Sequence, residues 1–202
     1  MAAYLFAAFC LVLQVTKSLA AEPAGAPAAW NIDVLMNSFA SVKKSRASFV
    51  ERKYLSILKT PLEFSGTLHY FAPGHLEKHT LKPKAESMVL DQDKLTLQNA
   101  EGQKRTLAIQ DNPAIWAFVE SFRSTLAGDL KTLQRFYRVT LEGDAGKWRL
   151  VLQPLDTKMK AMVDEIRIDG SAGQVNTIEV REAGGDHSMM SITPEVVDRD
   201  PS

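Results

Sequence analysis

The chain has 202 residues, of which 45% are hydrophobic and 24% are charged, and Lys plus Arg equal Asp plus Glu at 24 each. This composition excludes a chain that is disordered throughout, and the zero net charge gives no electrostatic reason to bind nucleic acid. The length favours a single domain, or at most two small ones.

Residues 1–20 have the character of a cleavable signal peptide. The stretch 2–15 is almost wholly apolar but short for a membrane span, and Ser18 and Ala20 provide the small residues of a cleavage site after Ala20. The basic residue that usually precedes such a stretch is missing, so an N-terminal anchor or amphipathic helix is the alternative. We expect cleavage and export to the periplasm.

The single cysteine, Cys10, lies inside the apolar stretch. Phe9 precedes it and Ala7 stands three positions before it, which does not match a lipoprotein signal. A mature chain that starts at Ala21 contains no cysteine, which excludes disulfides, thiolate metal sites and a cysteine nucleophile.

The segment 21–30 is rich in Ala, Pro and Gly and is predicted to be a linker. A helix is predicted over about 31–43, with Asn31 as N-cap, because apolar residues follow at helical spacing. The domain that begins there is predicted to cover 31–194, and 195–202 is predicted to be a C-terminal tail.

After this helix the pattern changes to short strands separated by turns. Strands are predicted over 47–58, 63–72, 75–81, 87–91, 94–99 and 104–109. A helix follows over 113–127, with Asn112 as N-cap, Pro113 at the first helical position and Gly128 behind its last residue. The stretch 130–136 is predicted to continue as helix. Strands resume over 137–143, 148–154, 161–168, 174–181 and 187–192.

The order of elements lacks the strand–helix alternation of a parallel sheet. The predicted fold class is therefore α+β, mainly β: one curved antiparallel sheet, or incomplete β-barrel, covered by helices. Such a sheet can hold a ligand between its inner face and a cover. The helix 113–127 is the natural cover, since Phe118, Phe122 and neighbouring apolar residues form one broad face beside Trp116. A helix that simply packs in the core is the alternative.

Sequence motifs of enzymes are missing, among them a nucleophile elbow, a zinc-protease motif and phosphate or dinucleotide loops. Asp164 and Glu165 are adjacent on a strand and would point to opposite faces, which does not suit an acid–base pair. We expect no catalytic residue and no cofactor. A hydrolase acting on acyl lipids is the alternative, but four histidines on two distant segments supply no convincing nucleophile and base.

Three histidines form the one tempting polar cluster. His75 and His79 share a strand face with Glu77, and imidazole with carboxylate suits zinc. The position of His69 depends on the hairpin, because a two-residue loop at 73–74 would turn it away from the others. We expect a solvated polar face and no metal.

A strand carrying Phe49, an acid and a base is followed by a G-x-L-x-Y-x-x-P pattern at Gly66, Leu68, Tyr70 and Pro73. A second proline at 83 and a turn at 91–93 come next, and the later strands match more loosely over 148–154, 164–168 and 174–180. The order and spacing of these motifs together resemble the LolA family of periplasmic lipoprotein carriers, and the resemblance covers 31–193.

The resemblance implies an incomplete barrel whose apolar cavity takes acyl chains. It also implies partners: acylated lipoproteins or other acyl lipids, an inner-membrane extraction complex and an outer-membrane receptor. The carriers commonly have an arginine before the first turn proline that holds the cover shut, and a glycine in the next turn. Here Ala72 and Gln92 stand at these positions, so a divergent member is expected.

We therefore expect a monomeric, non-enzymatic carrier that shuttles lipoproteins or other lipids towards the outer membrane. The predicted lipid-binding cavity consists of Phe49, Leu68, Tyr70, Leu76, Trp116, Phe118 and Phe122. Leu76 joins Leu68 and Tyr70 only if the turn at Pro73 has three residues. An envelope module that binds a protein partner on the same half-barrel, without transport, is the alternative function.

Overall fold

The computed structural model describes residues 30–109 and 113–195, apart from the side chains at positions 113–115, 117, 118 and 121. The expectations for the signal peptide, for most of the linker, for Asn112 as N-cap and for the tail beyond 195 lie outside the described residues.

The described part contains four helices: α1 (Ile32–Ala40), α2 (Pro113–Ala127), α3 (Leu130–Phe136) and α4 (Thr157–Lys160). The predicted cap of α1 is confirmed, because Asn31 Oδ1 accepts a hydrogen bond from the Val34 backbone N–H at 3.0 Å. The short α4 was not predicted; it is capped by Asp156, which accepts bonds from two backbone N–H groups. Within the described residues, none of the helices has the length and apolar character needed to cross a membrane.

Eleven strands make up most of the domain. They are β1 (Lys44–Tyr54), β2 (Leu62–Phe71), β3 (His75–Lys82), β4 (Glu86–Asp91), β5 (Lys94–Gln98), β6 (Lys104–Ala108), β7 (Tyr137–Asp144), β8 (Lys147–Pro154), β9 (Val163–Ser171), β10 (Gln174–Glu182) and β11 (His187–Pro194). The predicted strands correspond to these within a few residues. The largest difference is at β1, which begins earlier and ends before a turn that the Leu58 N–H closes on the Leu55 carbonyl.

All eleven strands form one antiparallel sheet in the order β6-β5-β4-β3-β2-β1-β11-β10-β9-β8-β7. The sheet is not closed into a barrel, because β6 and β7 are its two edges. The chain segment that connects these edges contains α2 and α3. The predicted fold class, a curved antiparallel sheet with helices, is confirmed.

One face of the sheet, called the inner face below, carries the core. Alternate residues of β1, β2, β3, β8, β9 and β10 are buried there, and they form one hydrophobic cluster with buried residues of all four helices. Phe39 of α1 meets the edge of the Trp148 ring at 5.9 Å between centroids. The outer face carries ion pairs such as Arg149–Asp169 at 2.7 Å. This division places the apolar residues of the sheet on the inner face.

Candidate functional site

The hairpin between β2 and β3 fixes which side chains share the inner face. Phe71 pairs with His75, so the loop contains the three residues 72–74, and Tyr70 lies directly opposite Leu76. The condition for placing Leu76 beside Tyr70 and Leu68 is therefore met. All three are buried, together with Phe49 of β1, in the hydrophobic cluster.

The covering helix, α2, contributes the second wall. Val119, Phe122 and Leu126, at helical spacing, are buried in the same cluster as the inner-face residues. Trp116 is partly buried, and its ring meets the edge of Phe136 of α3 at 5.4 Å between centroids. Phe118 belongs to α2, but its side chain lies outside the described part of the chain. The structure thus gathers Phe49, Leu68, Tyr70, Leu76 and Phe122 into one cluster, with Trp116 at its margin; their role in lipid binding stays a prediction.

A buried ion pair on the inner face was missed by the sequence analysis. Glu51 Oε2 lies 2.5 Å from Lys78 Nζ, and Lys78 Nζ stands 4.8 Å from the centre of the Phe49 ring. Lys53 Nζ is 3.9 Å from the other Glu51 oxygen. The two-residue spacing from Phe49 to Glu51 already puts both on one strand face, and this was the signal that could have found the pair. The inner face is therefore amphipathic, with an apolar floor and a charged end.

Burial has an electrostatic consequence at this charged end. Desolvation lowers the pKa of Lys53, and the neighbouring Glu51 carboxylate opposes that change. Burying a charged group costs free energy unless the group is paired with an opposite charge. The ion pairs of Glu51 with Lys78 and Lys53 therefore reduce the cost of burying these charges in the core.

Arg123 joins the covering helix to two turns of the sheet. Its Nη1 is 3.4 Å from the Gln92 carbonyl oxygen and 3.7 Å from Asp93 Oδ1, both in the turn between β4 and β5. A Cβ built on Gly74, in the turn between β2 and β3, would lie 2.9 Å from Arg123 Nε. Gln92 has a left-handed φ of 50°, a conformation that favours the glycine of the family pattern.

The outer face of β2 and β3 carries the histidine cluster. His69 lies directly opposite Glu77, because the hairpin loop has three residues rather than two. Glu77 Oε1 is 2.8 Å from His75 Nε2, while Glu77 Oε2 is 2.8 Å from His79 Nε2 and 3.5 Å from His69 Nδ1. A two-residue loop, which would have turned His69 away, is thus excluded, and all three histidines surround one carboxylate.

The hydrogen bonds within this cluster shift its titration. The hydrogen bond with His75 makes the largest contribution and the one with His79 the second largest, and they lower the pKa of Glu77 to about 2. The bond to Glu77 raises the pKa of His75. Burial, followed by the charge of Arg46 on β1, lowers the pKa of His69. Glu77 is therefore ionised throughout the neutral range.

A family model for outer membrane lipoprotein carrier proteins, LolA-like, matches residues 24–194. No curated protein matches the sequence.

Several solved structures are similar in outline. A LolA superfamily protein of Nitrosomonas europaea is 8% identical, with a TM-score of 0.42, over 85% of this chain and 96% of that chain. A DUF1329 family protein of Desulfovibrio piger is 13% identical, with a TM-score of 0.47, over 84% and 92%. A chain of the Pseudomonas aeruginosa MucA/MucB complex is 11% identical, with a TM-score of 0.47, over 84% and 59%.

Proposed function

Because the chain belongs to the LolA-like family of outer membrane lipoprotein carrier proteins, we propose that it is an exported carrier of acyl chains. Its cargo is the acyl part of lipoproteins or of other lipids, which it holds between the inner face and the covering helix. Transfer runs through the periplasm towards the outer membrane. An inner-membrane extraction complex and an outer-membrane receptor are the corresponding partners.

The observation that carries this proposal is the apolar cluster shared by the inner face and α2. Phe49, Leu68, Tyr70 and Leu76 are buried on the sheet, and Phe122 is buried on the helix. Each methylene removed from water contributes roughly 0.8 kcal/mol, so a surface of this kind binds an acyl chain without catalytic groups. Exchange of helix–sheet contacts for lipid–sheet contacts would open the site at little net cost.

The charged end of the inner face suits the other part of such a cargo. The charged end consists of Glu51, Lys53 and Lys78, and Lys78 contacts the ring of Phe49 in the apolar part of the inner face. A lipid or acylated peptide has polar groups next to its hydrocarbon chain. The proposed orientation puts the chain over Leu68 and Leu76 and the polar groups near Lys53.

Two matched substitutions on β3 test the proposal. Leu76 is buried on the inner face, whereas Leu81 is exposed near the end of the same strand. With a fluorescent fatty-acyl probe, Leu76→Ser should weaken binding about tenfold or more, and Leu81→Ser should leave it unchanged. Circular dichroism checks that both variants are folded.

A second measurement does not depend on any variant. A photoactivatable fatty acid, added to the wild-type protein, should label peptides that contain Tyr70 of the inner face or Phe122 of α2. Failure of the folded wild type to bind either ligand would contradict the carrier function and favour the protein-interaction module. Labelling confined to outer-face peptides would contradict the proposed site.

A further inference from the structure

The outer face holds a second set of converging groups, on the opposite side of the sheet from the proposed lipid site. One ligand atom each from His69, Glu77 and His79 lies within 4.8 Å of the other two. We propose that these three residues form a binding site for a divalent metal ion of the zinc class, in place of the metal-free polar face expected before the hairpin register was known. This site is independent of acyl-chain binding.

The two distances that join Glu77 to His79 and to His69 are close to those of tetrahedral coordination. Zinc bonds to imidazole nitrogen and carboxylate oxygen are about 2.0–2.2 Å long, so neighbouring ligand atoms in a tetrahedron stand about 3.3 Å apart. Glu77 Oε2 is 2.8 Å from His79 Nε2 and 3.5 Å from His69 Nδ1. Shifts of a few tenths of an ångström would bring both pairs to the coordination distance. The ring nitrogens of His69 and His79 lie within 4.8 Å of each other and would have to approach by up to about 1.5 Å, and water would complete the fourth position.

The surrounding groups hold the carboxylate in place. Oε1 of Glu77, the oxygen that does not face His69 and His79, is 2.8 Å from His75 Nε2. The other ring nitrogen of His75 lies 3.4 Å from Asp91 Oδ1. The chain Asp91–His75–Glu77 thus orients the ligand from behind, as partners of metal-binding side chains do, and Asp91 adds negative charge.

The backbone and the charge balance set the strength of the site. His69 of β2 lies directly opposite Glu77 of β3, and neither strand is at an edge of the sheet. The backbone hydrogen bonds between the strands therefore fix the positions of both residues. Arg46 of β1 lies directly opposite His69 of β2, and its positive charge opposes the binding of a cation. Two imidazoles and one carboxylate select zinc, copper or nickel over magnesium or calcium.

Zinc titration of the tag-free, chelator-treated protein tests the proposal. The wild type should bind one zinc ion per chain by calorimetry and retain it through dialysis, and its unfolding temperature should rise with zinc but not with magnesium. His69→Gln and His79→Gln should each weaken binding more than 100-fold. His75→Gln, which removes a group behind the ligand, should weaken it about 10- to 100-fold.

His187→Gln is the matched control. His187 stacks on Tyr54 and pairs with it at the far end of β1 from Arg46, so zinc affinity should not change. Cobalt(II) in place of zinc should give the intense visible bands of tetrahedral coordination. No binding to the wild type, or equal binding by His69→Gln and the wild type, would overturn the proposal whatever the outcome for acyl chains.

Discussion

Arg123 Nη1 on the covering helix lies 3.7 Å from Asp93 Oδ1 in the turn between β4 and β5. Ala72, in the loop between β2 and β3, stands where the resemblance implies an arginine that holds the cover shut. Arg123 instead reaches from the helix to the turns of the sheet. The same residue is 3.6 Å from Glu120 on its own helix, which orients the guanidinium.

If this contact holds the covering helix closed, Arg123→Ala should speed uptake of a fatty-acyl probe. The ion pairs are partly exposed, and such contacts contribute about 0.5–1 kcal/mol, which corresponds to a two- to fivefold faster rate. Stopped-flow fluorescence measures it. Arg105→Ala, an exposed arginine on the edge strand β6, is the control and should leave the rate unchanged. An unchanged rate in Arg123→Ala would remove Arg123 from the account of opening.

Asp129 should stabilise the protein as the N-cap of α3. Its carboxylate accepts hydrogen bonds from the Thr132 backbone N–H at 3.0 Å and from the Thr132 hydroxyl at 2.6 Å. Loss of such a cap costs about 1 kcal/mol, so Asp129→Ala should lower the free energy of unfolding by that amount in a urea titration. Asp129→Asn, which keeps the acceptor, should lose less.

The same carboxylate predicts a pH dependence. The bonds from Thr132 lower the pKa of Asp129 below the ordinary value of 3.8. A group with a lowered pKa in the folded state contributes stability above the unfolded pKa and loses it as pH falls through the folded pKa. The difference in stability between wild type and Asp129→Asn should therefore be constant above about pH 5 and shrink in acid. A difference that grows in acid would contradict this assignment.

Gly170 should not tolerate a side chain. A Cβ there would lie 2.1 Å from Trp148 Cζ2 and from the Gln174 carbonyl oxygen, and Trp148 also donates a hydrogen bond to the Ala172 carbonyl at 3.1 Å. Gly170→Ala should lower the free energy of unfolding by about 1–3 kcal/mol or more, because a packed core must move. Gly184→Ala, where nothing lies within 4 Å, is the control and should change stability by less than about 0.5 kcal/mol.

The predicted signal peptide, residues 1–20, should be removed on export. Ser18 and Ala20 before Ala21 predict cleavage after Ala20. N-terminal sequencing of the protein recovered from the periplasm of its host should begin at Ala21. Recovery of intact Met1 in a membrane fraction would show that the segment is an anchor.

The sequence predicted the elements and the fold class well because alternation and helical spacing are local properties. The Gly128 stop of α2 is an example: its φ is 68°, and the Asp129 N–H bonds back to the Ser124 carbonyl. The register of the hairpin between β2 and β3 could not be predicted in this way, because it depends on the number of residues in the loop. One residue in the loop at 72–74 decided at once whether Leu76 joins the inner face and whether His69 joins Glu77.

Long-range charge contacts were also beyond the sequence. Glu51 and Lys78 are 27 positions apart, and their pairing depends on how β1, β2 and β3 align. Arg123 and the turn at Gln92 are 31 positions apart and on different elements. Composition and spacing place such residues on faces, but only the packed tertiary structure shows which of them meet.

Native mass spectrometry of the mature protein, purified from its own host without detergent, tests the carrier function most directly. The proposed function predicts a mass increment that corresponds to bound acyl lipid, and loss of that increment on mild activation in the gas phase. It also predicts that added fatty acid restores the increment to delipidated protein. A spectrum of the bare chain alone, unchanged after fatty acid is added, would contradict the carrier function.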